Sequence, residues 1–506
     1  MGIVIRQSIK GTAVTYLGAL IGFFSTFFIQ TRYLLPGEIG LLQVLLQAAT
    51  LVSSFAMMGL NSSIYRFYPY FRNSGEQTRA SSERDNGFLF YALLISLVGL
   101  VVIIPLYYLL RGPICDMYMD NSPEFVQYFH WVVPLVVFLL FWLVFELYAV
   151  QLMRIAVPKL IREIILRVLL VGTYLVYALG WVSFPIMVGI YISCYGFCML
   201  LSIAYIGRLG SLSLKHDWSY ITPELRCNFL RYTFIYVSAS IGTKLGSQLG
   251  LFMVGALDAG GMDSAGIYSI AFFMVAVVEI PSRSMLNIAS PIMADSMKRE
   301  DLSQANHLFK RVALHQVLAG GFIFLLVLFN IDSIYAILPN GAKYISGKSV
   351  FLFLGLAKML EITFNYGNSL LSCSKYYHWN LYYTLGVTLL GVLWQVLLIP
   401  ILGISGAAIA TLITTALSYF VQQLMISLKM KCSPFSKDLF VSLCIFTAMC
   451  AINYVVPCMS NPWIDILVRS LPIGFFGLCA IYFSGISPEA KSVVDRLLKC
   501  KNHGRT

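Results

Sequence analysis

Residues 88–110 read FLFYALLISLVGLVVIIPLYYLL, an apolar run without one charged side chain. At about 1.5 Å per residue, a helix of that length crosses the roughly 30 Å hydrocarbon core of a bilayer. The run does not alternate apolar with polar residues, so a barrel strand does not fit it. Composition rules out a soluble core helix: 58% of the 506 residues are hydrophobic and 11% are charged, against about a quarter charged in soluble domains. Outward from this segment, runs of the same kind recur near 12–33, 39–60, 129–152, 164–181, 184–206, 232–256, 264–286, 312–330, 349–372, 381–401, 404–428, 439–457 and 466–484. Hydrocarbon offers the backbone no hydrogen-bond partner, so each run must satisfy itself as a helix. The sequence predicts an all-α polytopic membrane protein with about 14 transmembrane helices.

The net charge of +12 would suggest nucleic acid in a soluble chain. Here the basic residues collect in alternate loops and tails, such as Arg79 and Arg84, Arg154 and Lys159, Lys298 and Arg299, and Lys429 and Lys431. The opposite loops hold little beyond Arg32, Arg111, Lys343 and Lys348. That asymmetry predicts cytoplasmic N- and C-termini, with anionic membrane lipids rather than nucleic acid as the partner of the charge. Arg6 and Lys10 precede the first run, but no small-residue cleavage site follows, which predicts an uncleaved first span. The outer loops, longest at 111–126 and 330–348, leave no room for a catalytic domain. The polar segment DSMKREDLSQANHLFKR at 295–311 carries Leu302, Leu308 and Phe309 at helical spacing. It reads equally as an interfacial helix or as an ordinary helical loop between two spans.

The 11 cysteines are scattered and form no C-x-x-C pair with matching ligands, so neither a metal site nor a cofactor is expected. Cys115 and Cys458 fall in loops on the same expected outer face, where a disulfide is open to them but not dictated. A weak internal repeat lays the first two spans over the seventh and eighth: Ala13 meets Ala239, Gly40 meets Gly266, Leu60 meets Leu286 and Asn61 meets Asn287. Two six-helix lobes around a central cavity follow as the expectation, at 1–208 and 209–430. Two additional helices at 431–485 and a basic cytoplasmic tail at 486–506 complete it.

A charge near the bilayer centre costs about 2.5–3.5 kcal/mol on insertion scales, so such residues face a cavity or a partner. Lys244 lies midway along the seventh span in YVSASIGTKLGSQLGLF, among small and hydroxyl residues. Either an anionic substrate or a buried carboxylate would compensate it. Glu279, Pro281 and Arg283 stand together in the inner half of span eight. The proline suits a kinked, moving helix, and the i, i+4 spacing equally suits a plain ion pair. On span ten Lys358 and Glu361 share a face with Asn365, one turn below the glutamate. An internal ion pair and a proton or cation site both account for them. Glu146, Arg162, Glu163 and Arg167 lie nearer the interface, where structural pairing is expected. GAKYISGKS at Gly341 has one residue too many for a P-loop, and neither H-E-x-x-H nor G-x-S-x-G occurs. No enzyme is expected.

The segments GIYSIAFFMVAVVEIPSRSMLNIASPIMAD (266–295), LPNGAKYISGKSVFLFLGLAKMLEITFNYGNSLL (338–371) and IPILGISGAAIATLIT (399–414) resemble the polysaccharide (O-antigen and capsule) flippases. These belong to the multidrug/oligosaccharidyl-lipid/polysaccharide exporter superfamily. The opening GTAVTYLGALIGFFSTFFIQTRYLLPGEIGLLQ (11–43) and LMRIAVPKLIREIILRVLL (152–170) fit the same family. The resemblance implies a monomer in the bacterial inner membrane. It would carry an undecaprenyl-diphosphate-linked oligosaccharide from the cytoplasmic to the periplasmic leaflet by alternating access. A coupling H⁺ or Na⁺ and polysaccharide assembly proteins are the further expected partners. Related lipid II flippases place several arginines in their first two spans. Here span one has no central cation, and Arg66 sits at the inner end of span two. The expected substrate-binding residues are therefore Lys244, Arg66, Arg283 and Lys358, and the coupling-ion residues Glu361, Asn365 and Glu279. A multidrug efflux antiporter of the same superfamily is the alternative, and a membrane polymerase or acyltransferase a more distant one.

Overall fold

The computed structural model describes residues 2–60, 64, 87–152, 154–209, 227, 249–372, 374 and 376–486. All regular structure among them is helical, and ten of the helices are long and apolar enough to cross a membrane. The chain divides into two compact units, Met1–Ser269 and Ile270–Thr506. The boundary expected near 208 adjoins residues 210–226, which lie outside the described set.

In the first unit, α1 (Gly2–Phe24) continues through a π-helical turn, Ser25–Gln30, to Tyr33. Next comes α2 (Pro36–Ala56), whose opening proline has its φ preset for a first helical turn. The Glu38 carboxylate accepts the Leu35 N–H at 2.9 Å and caps that turn. After α2 come α3 (Phe88–Leu109) and α4 (Val132–Gln151). A second π-helical turn, Ile161–Ile165, leads into α5 (Leu166–Ala178), and α6 (Phe184–Arg208) follows. α2 packs against α3 and α4, and α6 against α4 and α5. Close approach needs glycine here: a Cβ on Gly99 of α3 would strike the Ala56 carbonyl of α2.

A long helix, α7 (Gly261–Lys298), begins in the first unit and ends in the second. Its start meets α2 in a reciprocal contact. A Cβ at Gly40 would strike the Met262 carbonyl, and one at Gly266 would strike the Pro36 carbonyl. The alignment that lays residue 40 over 266 also lays residue 36 over 262, so the two helices touch through equivalent positions. Helix assignment continues unbroken through Pro281.

The second unit adds α8 (Leu302–Phe329), α9 (Gly347–Phe364), α10 (Tyr377–Met430), α11 (Lys437–Val455) and α12 (Pro462–Ser484). Within α10, Gly403 adopts φ 60°, ψ −142°, which splits it into the two spans expected on either side of that residue. Only glycine enters that region without strain. α8 touches α9, α11 and α12, and α9 lies along α10. Phe309, Val312, Tyr366, Ile426 and Met293 form the buried core at one end of this unit.

The interfacial-helix expectation for 295–311 is corrected. α7 runs to Lys298, the chain turns at Arg299 and Glu300 with Glu300 at φ 58°, and α8 starts at Leu302. Asp301 caps α8 by accepting the Gln304 N–H at 2.9 Å. The helical spacing of Leu308 and Phe309 belongs to the core-facing side of α8, where Phe309 is fully buried. The segment is the end of one long helix, a three-residue turn and the start of the next.

Candidate functional site

Two helices bring four charges of the second unit together. α7 carries Glu279 and Arg283 one turn apart, and α9 carries Lys358 and Glu361. Lys358 Nζ donates to Glu361 Oε2 at 2.6 Å and to Glu279 Oε2 at 3.1 Å. Arg283 Nε donates to Glu279 Oε1 at 3.0 Å. Glu279 is thus shared by two cations, and Lys358 by two carboxylates. The four formal charges cancel, which makes the cluster tolerable in a medium that penalises lone ions.

α8 packs beside both helices at this level. Gly320 of α8 lies against the Ile362 side chain and the Val278 carbonyl, the chain neighbours of Glu361 and Glu279. A Cβ there would press on Ile362 Cδ1, the end of that side chain, and would meet the Val278 carbonyl at contact distance. On the other side, Tyr419 of α10 stacks on Phe364, with ring centroids 6.0 Å apart and planes at 22°.

Solvent exposure grades the cluster. The side chain of Lys358 is 18% exposed, Glu279 24%, Glu361 32% and Arg283 66%. Lys358 is therefore the enclosed hub and Arg283 the arm that reaches outward. Asn365 ends α9: its N–H still donates to the Glu361 carbonyl at 2.8 Å, and the next helical segment, Tyr366–Ser372, starts beyond it. Gln316 of α8, one turn from Gly320, keeps both amide atoms buried without a hydrogen-bond partner.

Four of the expected site residues, Glu279, Arg283, Lys358 and Glu361, are thus in mutual contact, with Asn365 one turn along. Lys244 and Arg66 lie outside the described residues. Glu146, Arg162, Glu163 and Arg167 of the first unit form ion pairs. Arg162 meets Glu146 at 3.0 Å, Arg167 meets Glu163 at 2.7 Å, and the Arg167 guanidinium also donates to the Gly18 carbonyl of α1. Among the described residues no group of His, Cys, Asp or Glu is arranged to hold a metal ion, and Cys115 and Cys458 are both free thiols.

Sequence reading passed over a second buried network, at the start of α12. Asp465 accepts from Ser333 Oγ at 2.6 Å, from the Met459 N–H at 2.8 Å and from Arg469 Nε at 3.1 Å. Arg469 Nη2 also donates to Cys458 Sγ at 2.7 Å. The i, i+4 spacing of Asp465 and Arg469 was a visible signal. Ser333, from the short helix Ile331–Ile337, was not.

No protein-family model matches the chain, and no curated protein matches it. Solved structures do. The lipid II flippase MurJ in an inward closed conformation superposes with a TM-score of 0.73 at 13% identity, covering 95% of this chain and 100% of that one. An inward-facing multidrug resistance MATE family transporter of the MOP superfamily superposes at 0.60 and 13% identity, over 84% of this chain and 98% of its own. An outward-facing MATE family transporter gives 0.52 at 13% identity, over 85% and 95%. At such identities the likeness is one of fold: the chain is a multi-pass helical membrane protein built on the architecture that MurJ and the MATE transporters share.

Proposed function

We propose that this protein is a flippase. It moves an undecaprenyl-diphosphate-linked oligosaccharide from the cytoplasmic to the periplasmic leaflet of the inner membrane by alternating access, driven by an ion gradient. One observation carries the reading. The likeness to a lipid-linked flippase extends over 95% of the chain, whereas the multidrug transporters leave about a sixth of it unmatched, covering 84%. Chemistry supports the substrate class. A diphosphate and its sugars cannot cross about 30 Å of hydrocarbon unaided, and cationic side chains offer charge-assisted hydrogen bonds to phosphate.

In this reading the α7–α9 cluster is the coupling element. Glu361, the more exposed of the two carboxylates, takes the proton or cation. Lys358 then shifts its hydrogen bonding fully to Glu279. Asn365, one turn along, borders the ion's path, while Arg283 reaches toward substrate. Lys244 and Arg66 supply the remaining cationic contacts to the diphosphate.

Multidrug efflux is the second reading, favoured by the MATE family likeness over 98% of that chain. Vesicles containing the purified full-length protein separate the two. Flipping of a fluorescent undecaprenyl-diphosphate oligosaccharide, read by quencher accessibility, is expected under an imposed gradient. Gradient-dependent efflux of a cationic dye with no flipping would defeat the proposal.

A further inference from the structure

A buried, uncharged polar cluster joins α1, α5 and α6 of the first unit. Gln30 closes the π-helical turn Ser25–Gln30, a geometry that often marks functional sites in helices. Its side-chain Nε2 donates to the Tyr174 hydroxyl of α5 at 3.1 Å. Beside them on α6, the hydroxyls of Tyr191 and Tyr195 lie 3.1 Å apart in a bond of their own. The Tyr174 phenol is a near neighbour of both. All four residues are at least nine-tenths buried, and Gln30, at 7% exposure, is the most open of them.

The cluster is short of partners. Gln30 Oε1 is buried and accepts no hydrogen bond. The Tyr174 hydroxyl accepts from Gln30, and among the described residues no acceptor takes its own hydrogen. Of Tyr191 and Tyr195, one donates to the other and the second keeps a spare hydrogen. An acceptor and a pair of donors are thus left over side by side. Turning the Gln30 amide over does not cure this: Oε1 would then accept from Tyr174, and the amide NH₂ would be stranded in its place. Polar atoms buried without a partner cost free energy.

Neighbouring contacts hold this arrangement in place. One turn on from Tyr174, Tyr177 donates to Glu38 Oε1 at 2.5 Å, and Glu38 also caps α2 through the Leu35 N–H. α5 is therefore tied to the turn that follows Gln30. The Trp142 ring of α4 lies against the Tyr195 ring with centroids 6.3 Å apart, and its Nε1 is likewise buried without an acceptor. A molecule bound here must both donate and accept hydrogen bonds, and must fit among side chains that leave almost no accessible surface. Water meets both demands. Accepting from Tyr174 and from the Tyr191–Tyr195 pair while donating to Gln30 Oε1 gives it about three bonds, the usual complement of a buried water. We infer that a water molecule is bound between Gln30, Tyr174 and the Tyr191–Tyr195 pair, where it ties the π-helical end of α1 to α5 and α6. The site stands apart from the coupling element proposed above and does not rest on it.

X-ray radiolysis of the purified full-length protein in lipid nanodiscs tests the site, because hydroxyl radicals form from water where it is bound and oxidise the side chains beside it. Oxidation mapped by peptide mass spectrometry should be several-fold faster at Tyr174, Tyr191 and Tyr195 than at Tyr118 and Tyr366. Those two are fully buried, with their hydroxyls on the Phe252 and Ala289 carbonyls. Gln30→Met keeps the length of the side chain and removes the amide. It should lower oxidation of the three clustered tyrosines several-fold and leave Tyr118 and Tyr366 unchanged. Tyr191→Phe should act the same way at Tyr174 and Tyr195, and serves if the first variant fails to accumulate. Oxidation of the cluster no faster than at the two reference tyrosines, or unmoved by a variant that accumulates, would overturn the site. Neither readout requires transport, so failure here is distinguishable from failure of the proposed function.

Discussion

Replacing Lys358 by methionine keeps the length of the side chain and deletes the hub of the α7–α9 cluster. Glu279 would retain Arg283 at 3.0 Å, but Glu361 would lose its 2.6 Å contact with Lys358 and be left with a half-buried charge. Breaking a fully buried pair costs about 3–5 kcal/mol. Because these side chains are 18–32% exposed, water and rearrangement recover part of that, and about 2–3 kcal/mol remains. The geometry also fixes which second substitution rescues the first. Lys358→Met with Glu361→Gln removes the stranded charge and leaves the Glu279–Arg283 pair whole. Lys358→Met with Glu279→Gln leaves Glu361 stranded and Arg283 without its carboxylate. Thermal unfolding of the purified variants in one detergent, followed by monodispersity on size exclusion, measures all of them. The first double variant should recover most of the lost stability and the second little, with a coupling between Lys358 and Glu361 of at least about 1 kcal/mol. A single variant as stable as wild type, or better rescue by Glu279→Gln, would refute the hub arrangement.

Glu361→Gln on its own should leave the protein folded and abolish gradient dependence of transport in vesicles; unchanged dependence would return Glu361 to a purely structural partner. Asp465→Ala should strand Arg469 and release Ser333 and the Met459 N–H, costing about 3 kcal/mol and exposing the α11–α12 hairpin to limited proteolysis before the rest of the chain. Gly266→Ala must push α2 away from α7, because its Cβ would strike the Pro36 carbonyl; slowed crosslinking between cysteines placed at positions 36 and 262, relative to wild type, reports it. Cysteine labelling of intact cells from outside should reach sites introduced near Asn121 and Asn340 but not near Asn306, and labelling of the last would reverse the assigned topology.

The helical, membrane-spanning character of this chain was legible in its residues because it is a local property. About twenty apolar residues must close their own hydrogen bonds in hydrocarbon whatever their neighbours do. The division of residues 377–430 at Gly403 was legible for the same reason, as were the i, i+4 pair of Glu279 with Arg283 and the i, i+3 pair of Lys358 with Glu361, each set by the pitch of one helix. The turn at Asp301 was half-hidden: its capping bond competes with the amphipathic pattern around it, and only the fold decides the winner. What needed tertiary structure was every contact between spans. The bond from Lys358 to Glu279 joins residues 79 apart, and the one from Ser333 to Asp465 joins residues 132 apart. Both depend on which helices become neighbours and at what height. Small-residue packing such as Gly40 against Met262 and Gly99 against Ala56 contributes to that choice, since within lipid no hydrophobic force selects one apolar face over another. Apolar length decides that a helix crosses the membrane; close packing between helices decides which charges meet inside it.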